Sequence, residues 1–318
     1  MKQLLTRLLL GATGACAAVP CLKGDGTVST VVYARAASDY RREQARDGSF
    51  EPEYYALSNG GRIFGTASDD SVDRVTYPQV AEVAMRLLSK QNYRYARTRE
   101  QAKLLVVLQW GTTIAPNSIS YGLSVNHAAA AYADLVAVTG PQGMGSIEQP
   151  GERILDEGAD PGVKVRFETA MLRLLADNRV RDQLNERNAR VLGYLDELAD
   201  ANDIRRWAGG GDRYNDLIGD VEESRYFMVI SAYDFPGLLK EKKKLLWQVR
   251  VSVRGPGNSF DDSFVAMLKE ASKHFGQHSG RLIRGEESKG TVGLGDLKFL
   301  GEAQDPAAQK APAAEKQK

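Results

Sequence analysis

The chain has 318 residues, of which 42 are basic and 41 acidic, and it is 42% hydrophobic and 26% charged, enough apolar material for one large or two modest cores. A formal net charge of +1 without a concentrated basic face argues against nucleic acid as a partner, because tracking a phosphate backbone takes clustered cations. Three histidines and two cysteines leave zinc clusters, disulfide frameworks and histidine-based catalysis few residues to draw on.

Residues 1–20 read as an address. Lys2 and Arg7 form a positive start, Leu8, Leu9 and Leu10 a short apolar segment, and residues 11–18 an uncharged run of small residues ending near Pro20. This is the pattern of a secretory signal peptide, and its apolar part is too short to span a bilayer. Two processing chemistries compete for the same residues. Thr13-Gly14-Ala15-Cys16 resembles a bacterial lipobox with Thr13 where leucine is usual, which makes Cys16 the lipidation site. Ala15-Cys16-Ala17 is instead an A-x-A cleavage site, which leaves Cys21 as an unpaired thiol in an oxidising compartment.

The α+β domain is expected in two parts, 27–162 and 212–300. Val28, Val31, Val32 and Tyr33 predict a first strand over 27–36, followed by a charged stretch, 39–47, expected in solvent. A short strand over 53–57 is followed by Asn59-Gly60-Gly61, read as a turn; with Gly65 these glycines resemble a phosphate cradle only superficially, because no helix follows them. Thr76 and Gln79 at capping-box spacing, with Pro78 in the first turn, open a helix whose Val80, Val83, Ala84, Leu87 and Leu88 fall on one stripe and which Asn92 stops. Residues 104–110 make a continuous apolar run ending at Trp110 and Gly111, the pattern of an inner strand, with Trp110 as core packing rather than a ligand platform. From 116 to 162 the pattern weakens to Gly, Ser and Ala, with a helix over 126–135 and His127 at its start as a solvated or capping residue.

Residues 163–211 are expected as a helical insertion. Over 163–207 there is one glycine, no proline and dense charge, with Phe167, Met171, Leu174 and Leu175 on one stripe and Leu184, Val191, Leu195 and Leu198 on another. The reading is a hairpin turning near Asp177 and Asn178, which either rests on the sheet or reaches a partner. Gly209-Gly210-Gly211 closes it, and a short helix over 212–222 leads into the next strand.

The stretch 225–280 organises the rest. Tyr226 to Ala232 is apolar at nearly every position, an inner strand. Leu245, Trp247, Val249, Val251 and Val253 alternate with Gln248, Arg250, Ser252 and Arg254, a strand with one face in water. Between the two strands, Pro236-Gly237 and Lys240, Lys242, Lys243 and Lys244 form a soluble connector that protects the sheet edge rather than a lipid-headgroup site. After Gly255-Pro256-Gly257, Ser259 and Asp262 cap a helix whose Phe260, Phe264, Met267, Leu268, Ala271 and Phe275 make a broad apolar stripe. His274 and His278 have metal-ligand spacing, but Phe275 stands where a zincin carries its base and Gly276 interrupts the helix, so no metal site is assigned. Residues 301–318 are low-complexity and expected to be disordered.

Two stretches resemble an uncharacterised family of bacterial exported proteins and envelope lipoproteins: 93–113, with Ala102-Lys-Leu-Leu-Val-Val-Leu-Gln-Trp-Gly-Thr-Thr113, and 225–280, with Val229-Ile-Ser-Ala-Tyr-Asp234 and Leu246-Trp-Gln-Val-Arg-Val-Ser-Val253. The resemblance covers about a quarter of the chain. It implies an envelope location and an α+β domain, and it supplies no catalytic residue.

The expectation is therefore an α+β fold: a mainly antiparallel sheet covered on one face by amphipathic helices, with a helical-hairpin insertion. The expected function is that of an exported, non-enzymatic envelope protein in the periplasm or tethered by lipid to the outer membrane, binding another envelope protein or a surface component, with no cofactor. The alternatives are a hydrolase using Asp234 with Asp261 or Asp262, and a carrier of a small apolar ligand held between helices and sheet.

Overall fold

A computed structural model describes residues 26–63, 65, 69–116, 118–139, 161–208 and 211–288. Seven strands, β1 (Thr27–Ala36), β2 (Glu53–Ile63), β3 (Tyr93–Tyr95), β4 (Leu104–Thr112), β5 (Arg225–Asp234), β6 (Leu245–Arg254) and β7 (Ile283–Ser288), form one mixed sheet in the order β3-β2-β4-β5-β6-β1-β7. β2 runs parallel to both β3 and β4; the pairs β4–β5, β5–β6, β6–β1 and β1–β7 are antiparallel. The helices are α1 (Asp70–Asp73), α2 (Tyr77–Lys90), α3 (Ser118–Thr139), α4 (Pro161–Leu192), α5 (Leu195–Ala208), α6 (Asp212–Glu222), α7 (Phe235–Leu238) and α8 (Phe260–Ser272). The chain is thus α+β, with α3 to α6 inserted between the neighbouring strands β4 and β5.

Strand alternation sorts the core. Leu104, Val106, Leu108 and Trp110 of β4, Met228 and Ile230 of β5, and Trp247, Val249, Val251 and Val253 of β6 share one face and are buried beneath α2 and α8. The whole stripe expected on the last helix, Phe260 to Phe275, lies in this core, where Phe275 stacks on Trp247 with ring centroids 5.3 Å apart. Burying each such side chain stabilises by roughly 1.5–3 kcal/mol. α2 begins where the capping box predicts, with the Gln79 Oε1 accepting from the Thr76 backbone N–H at 2.8 Å, and it stops at Asn92, which takes a φ of 62°. β1, α6 and the β5–β6 pair fall where the sequence places them.

The second face is less open than the alternation of β6 suggests. β5 is apolar on both sides, and Phe227 and Val229, with Val31 of β1, are covered by Ala189 and Leu192 of α4, Ala201 of α5, and Leu217 and Val221 of α6. The insertion therefore rests on the sheet through its C-terminal part. Arg225 is buried beneath it; its Nη1 lies 3.2 Å from Asp220, which also takes Arg284 at 2.9 Å and the Tyr194 hydroxyl at 3.2 Å.

Three local expectations are corrected. Asn59-Gly60-Gly61 does not turn the chain: β2 continues to Ile63, and the pairing jumps from Asn59↔Leu108 to Arg62↔Trp110, so two glycines oppose Gln109 in a bulge. Gly61 supplies the φ of +88° that the bulge needs. The hairpin does not turn at Asp177 and Asn178, because α4 runs through both for 32 residues, and the missing partner is α3, on the far side of the weakly patterned stretch. The insertion thus spans the interval between Thr112 and Arg225 rather than 163–211. α4 ends instead at Gly193, whose φ is +88° and whose Cβ, if it had one, would lie 2.7 Å from that of Tyr33. Both the backbone conformation and the close packing demand glycine there. β7 pairs with β1 without a clear signal in the sequence. The expected signal peptide, Cys16, Cys21 and the tail 301–318 lie outside the described residues.

Candidate functional site

The feature that stands apart from the sheet is the pair α3–α4. Tyr132 meets Phe167 (6.4 Å between rings), the Ser124 hydroxyl bonds to Asp177, and Arg181 covers the Tyr121 ring at 4.5 Å. As the contacts advance along α3 they recede along α4, so the two helices are antiparallel. At 1.5 Å per residue, the 22 residues of α3 extend about 33 Å. Its buried positions, Ser124, Ala128 and Leu135, recur at helical spacing and make a single seam, and its main packing is against α4. α4 is buried against the sheet only near its C-terminal end, at Asn185, Asn188, Ala189 and Leu192.

A polar network fixes the root of this hairpin. Both Arg181 donors, Nε and Nη2, reach Glu222 of α6 at 2.6 Å, and Asn185 donates to the same carboxylate at 2.7 Å. The hydrogen bonds it donates to Glu222 outweigh partial burial and hold the Arg181 guanidinium above its ordinary pKa. Asn188, itself buried, donates to the Ile114 carbonyl at 2.8 Å and the Val221 carbonyl at 3.1 Å, and accepts from the Ile114 N–H at 3.2 Å, tying α4 to the exit of β4 and the end of α6. A cavity of about 180 Å³ lies among Pro116, Tyr121, Val180, Arg181, Leu184 and Glu222, below the few hundred Å³ that a drug-sized ligand fills.

Beyond the root, α3 is exposed and almost uncharged. Asp134 is its one formally charged side chain in 22 residues, whereas the chain-wide 26% would give about six. Ile119 (76% exposed), Leu123, Val125, Tyr132 and Val138 meet solvent, as do Val165, Leu172 (67%), Leu175 and Val180 of α4. Leu175, expected on the buried stripe with Phe167, Met171 and Leu174, faces outward, while those three are half-buried. Ala130, Ala133 and Ala137 are exposed with Ile119 and Leu123, so the outward side is small and apolar. No helix among the described residues is long and apolar enough to cross a membrane.

The carboxylates proposed for hydrolysis are not brought together. Asp234 closes β5 and precedes α7, whereas Asp261 and Asp262 sit at the start of α8, beside Tyr226 at the other end of β5. Eight residues at ~3.3 Å put the two ends about 26 Å apart. Asp261 is ion-paired with Arg74 at 2.8 Å, and Asp262 accepts from the Ser259 hydroxyl at 2.9 Å. His274 and His278 lie beyond the end of α8, the first half-buried and held below its ordinary pKa by that burial, the second exposed. Trp110 is core, Gly60 and Gly61 form the bulge, the Gly65 N–H donates to the Thr112 hydroxyl at 2.8 Å, and His127 is exposed on α3. The lysine connector is exposed, with Lys244 paired to Asp39.

No protein-family model matches the chain, and no curated protein sequence matches it.

Proposed function

We propose that this chain is an exported, non-enzymatic envelope protein in which the sheet is a platform and the α3–α4 hairpin is the binding element, and that the hairpin meets the same surface on a second copy. One observation carries the reading: α3 stays exposed yet holds a single charge, Asp134, while the equally exposed α4 carries Lys164, Arg166, Glu168 and Arg173 in its first turns alone. Solvent imposes no such lack of charge on α3, and burial within the chain does not explain it. An uncharged face meets its own copy without repulsion, and Ala130, Ala133 and Ala137 let two helix backbones approach closely. A lipid surface fits less well, because helices that lie in a membrane interface carry lysine or arginine, and α3 has neither. The non-enzymatic reading is supported by carboxylates committed to structure: Asp261 to Arg74, Asp220 to Arg225 and Arg284, and Asp69 to Ser71 and Tyr226.

Export rests on the signal pattern of 1–20 and on the resemblance to envelope lipoproteins, with lipid on Cys16 or cleavage at Ala15-Cys16-Ala17. Fractionation of cells expressing the wild type and Cys16→Ser separates these: loss of membrane association in the variant supports the anchor, and a protein that keeps residues 1–20 in the cytosol overturns export. For the hairpin, sedimentation velocity over a range of concentrations should show the wild type associating and Ala130→Arg/Ala133→Glu remaining monomeric with an unchanged circular dichroism spectrum. A wild type that is monomeric throughout overturns the reading.

A further inference from the structure

The insertion covers only part of the second face. Strand register carries that face onward in two rows: Gln109, Val229, Arg250 and Tyr33 lie side by side across β4, β5, β6 and β1, and Val107, Ser231, Gln248 and Arg35 form the next row towards the β5–β6 connector. No carboxylate stands in either row. The cover ends over the first row, where Gly193 packs on Tyr33 and the Tyr33 hydroxyl donates to Asp196 at the start of α5. Beyond it Gln248 and Tyr233 are half-buried and Arg35 is exposed.

Two arginines of this patch have no partner. Arg250 is half-buried, yet its guanidinium makes no hydrogen bond or ion pair among the described residues, and none of its nitrogens is sealed from water. Arg35 is likewise unpaired. The two are diagonal neighbours, because Arg250 faces Tyr33 and Arg35 lies two residues further along β1, which places them about 7–8 Å apart. Burial holds Arg250 below its ordinary pKa and the like charge of Arg35 adds to the fall, while Tyr33, Asp196 and Tyr233 oppose it. The polar groups around them are already satisfied: the Gln248 Nε2 donates to the Ser231 hydroxyl at 2.7 Å, and Asp196 accepts from Tyr33. Taking a guanidinium partly out of water beside a second cation, with no acceptor on either, costs free energy that a neutral side chain at 250 would not.

We propose that Arg35 and Arg250 together bind the phosphate group of a small soluble ligand, either orthophosphate or a phosphomonoester. A phosphate offers oxygens on opposite sides to two guanidinium forks, and near neutral pH it carries nearly two negative charges. A carboxylate fills one fork and leaves the other cation uncompensated. The floor between the arginines and Tyr233 is polar, made by Ser231 and Gln248, so recognition rests on the anion rather than on an apolar substituent. The patch lies on the sheet, and the inference does not depend on association between copies.

Isothermal titration calorimetry on the full chain at constant ionic strength tests this with inorganic phosphate, glycerol 3-phosphate and acetate as probes. Saturable binding of either phosphate, at least tenfold tighter than acetate and weakened at least fivefold by Arg35→Gln and by Arg250→Gln, supports the site. The tighter of the two phosphates tells orthophosphate from a phosphomonoester. Arg179→Gln, the same loss of charge at an exposed position of α4, should leave the affinity unchanged. Arg35 is exposed, so its variant keeps the fold even if Arg250→Gln does not, which circular dichroism verifies. No saturable binding by the wild type, acetate bound as tightly as phosphate, undiminished binding by Arg35→Gln, or equal weakening by Arg179→Gln overturns the proposal.

Discussion

Tyrosine is used here as a buried structural residue with a polar handle. Tyr33 is pushed up to about 12 from 10, by burial first and then by its hydrogen bond to Asp196, whose charge also opposes the phenolate. Tyr55 and Tyr93 are pushed up to about 12 as well, with burial as the leading cause in both. A phenol whose folded pKa is raised keeps its proton while the unfolded chain has begun to lose it. Stability is therefore untouched below pH 10, falls from pH 10 upward, and the contribution is gone once the pH passes 12. Urea midpoints measured from pH 8 to 12 should be flat and then decline, and Tyr33→Phe should make the decline shallower; a flat profile to pH 12 would contradict the assignment. The same residues show what a sequence withholds at this scale. Val28, Val31, Val32 and Tyr33 announce a strand by spacing, but nothing local says that Tyr33 packs on Gly193, 160 positions later. In the charged stretch 39–47, expected in solvent, Arg42 turns inward between the rings of Phe50 and Tyr93, and Tyr40 reaches Glu53.

Among elements, legibility follows the source of stability. α2, α6 and α8 are amphipathic against a core, so apolar spacing and caps locate them closely. β5 and β6 are similarly plain, because residues buried on both faces differ from residues buried on one. α3 fails this test: it packs one narrow seam on α4 and is uncharged elsewhere, so it has no polar face to contrast with an apolar one. The helix expected over 126–135 falls inside α3, but nothing in its spacing marks it as the antiparallel neighbour of α4, so the sequence places the break at Asp177-Asn178 instead of Gly193. A hairpin held by so few buried groups should open on its own. Leu135→Ala removes the largest buried side chain of the α3 seam, at a cost of about 2–5 kcal/mol when the site does not collapse. Hydrogen exchange should then show lost protection in α3 and in the first turns of α4, with β4, β5 and β6 unchanged. Loss of protection across the sheet would mean that the hairpin is part of the cooperative core.

At the scale of the whole molecule, the hairpin anchored by Arg181, Asn185, Asn188 and Glu222 is separate from the body that carries the sheet. The core beneath α2 and α8 draws on none of α3 or the first part of α4, and the second-face cluster begins on α4 only at Ala189. The body should consequently survive removal of the arm. Ser124 is hydrogen-bonded to Asp177, so the two chains at that level are neighbours, separated by about the 8–10 Å between packed helices. A short Gly-Ser linker can replace residues 126–175 without disturbing the Arg181–Glu222 pair or the Asn188 contacts. The shortened protein should fold cooperatively, with a thermal midpoint within about 3 °C of the parent, the shift that about 1 kcal/mol produces in a chain of this size. It should also lose concentration-dependent association. An arm-less protein that fails to fold would place the hairpin within the folding unit. One that folds and still associates would move the contact between copies to another surface.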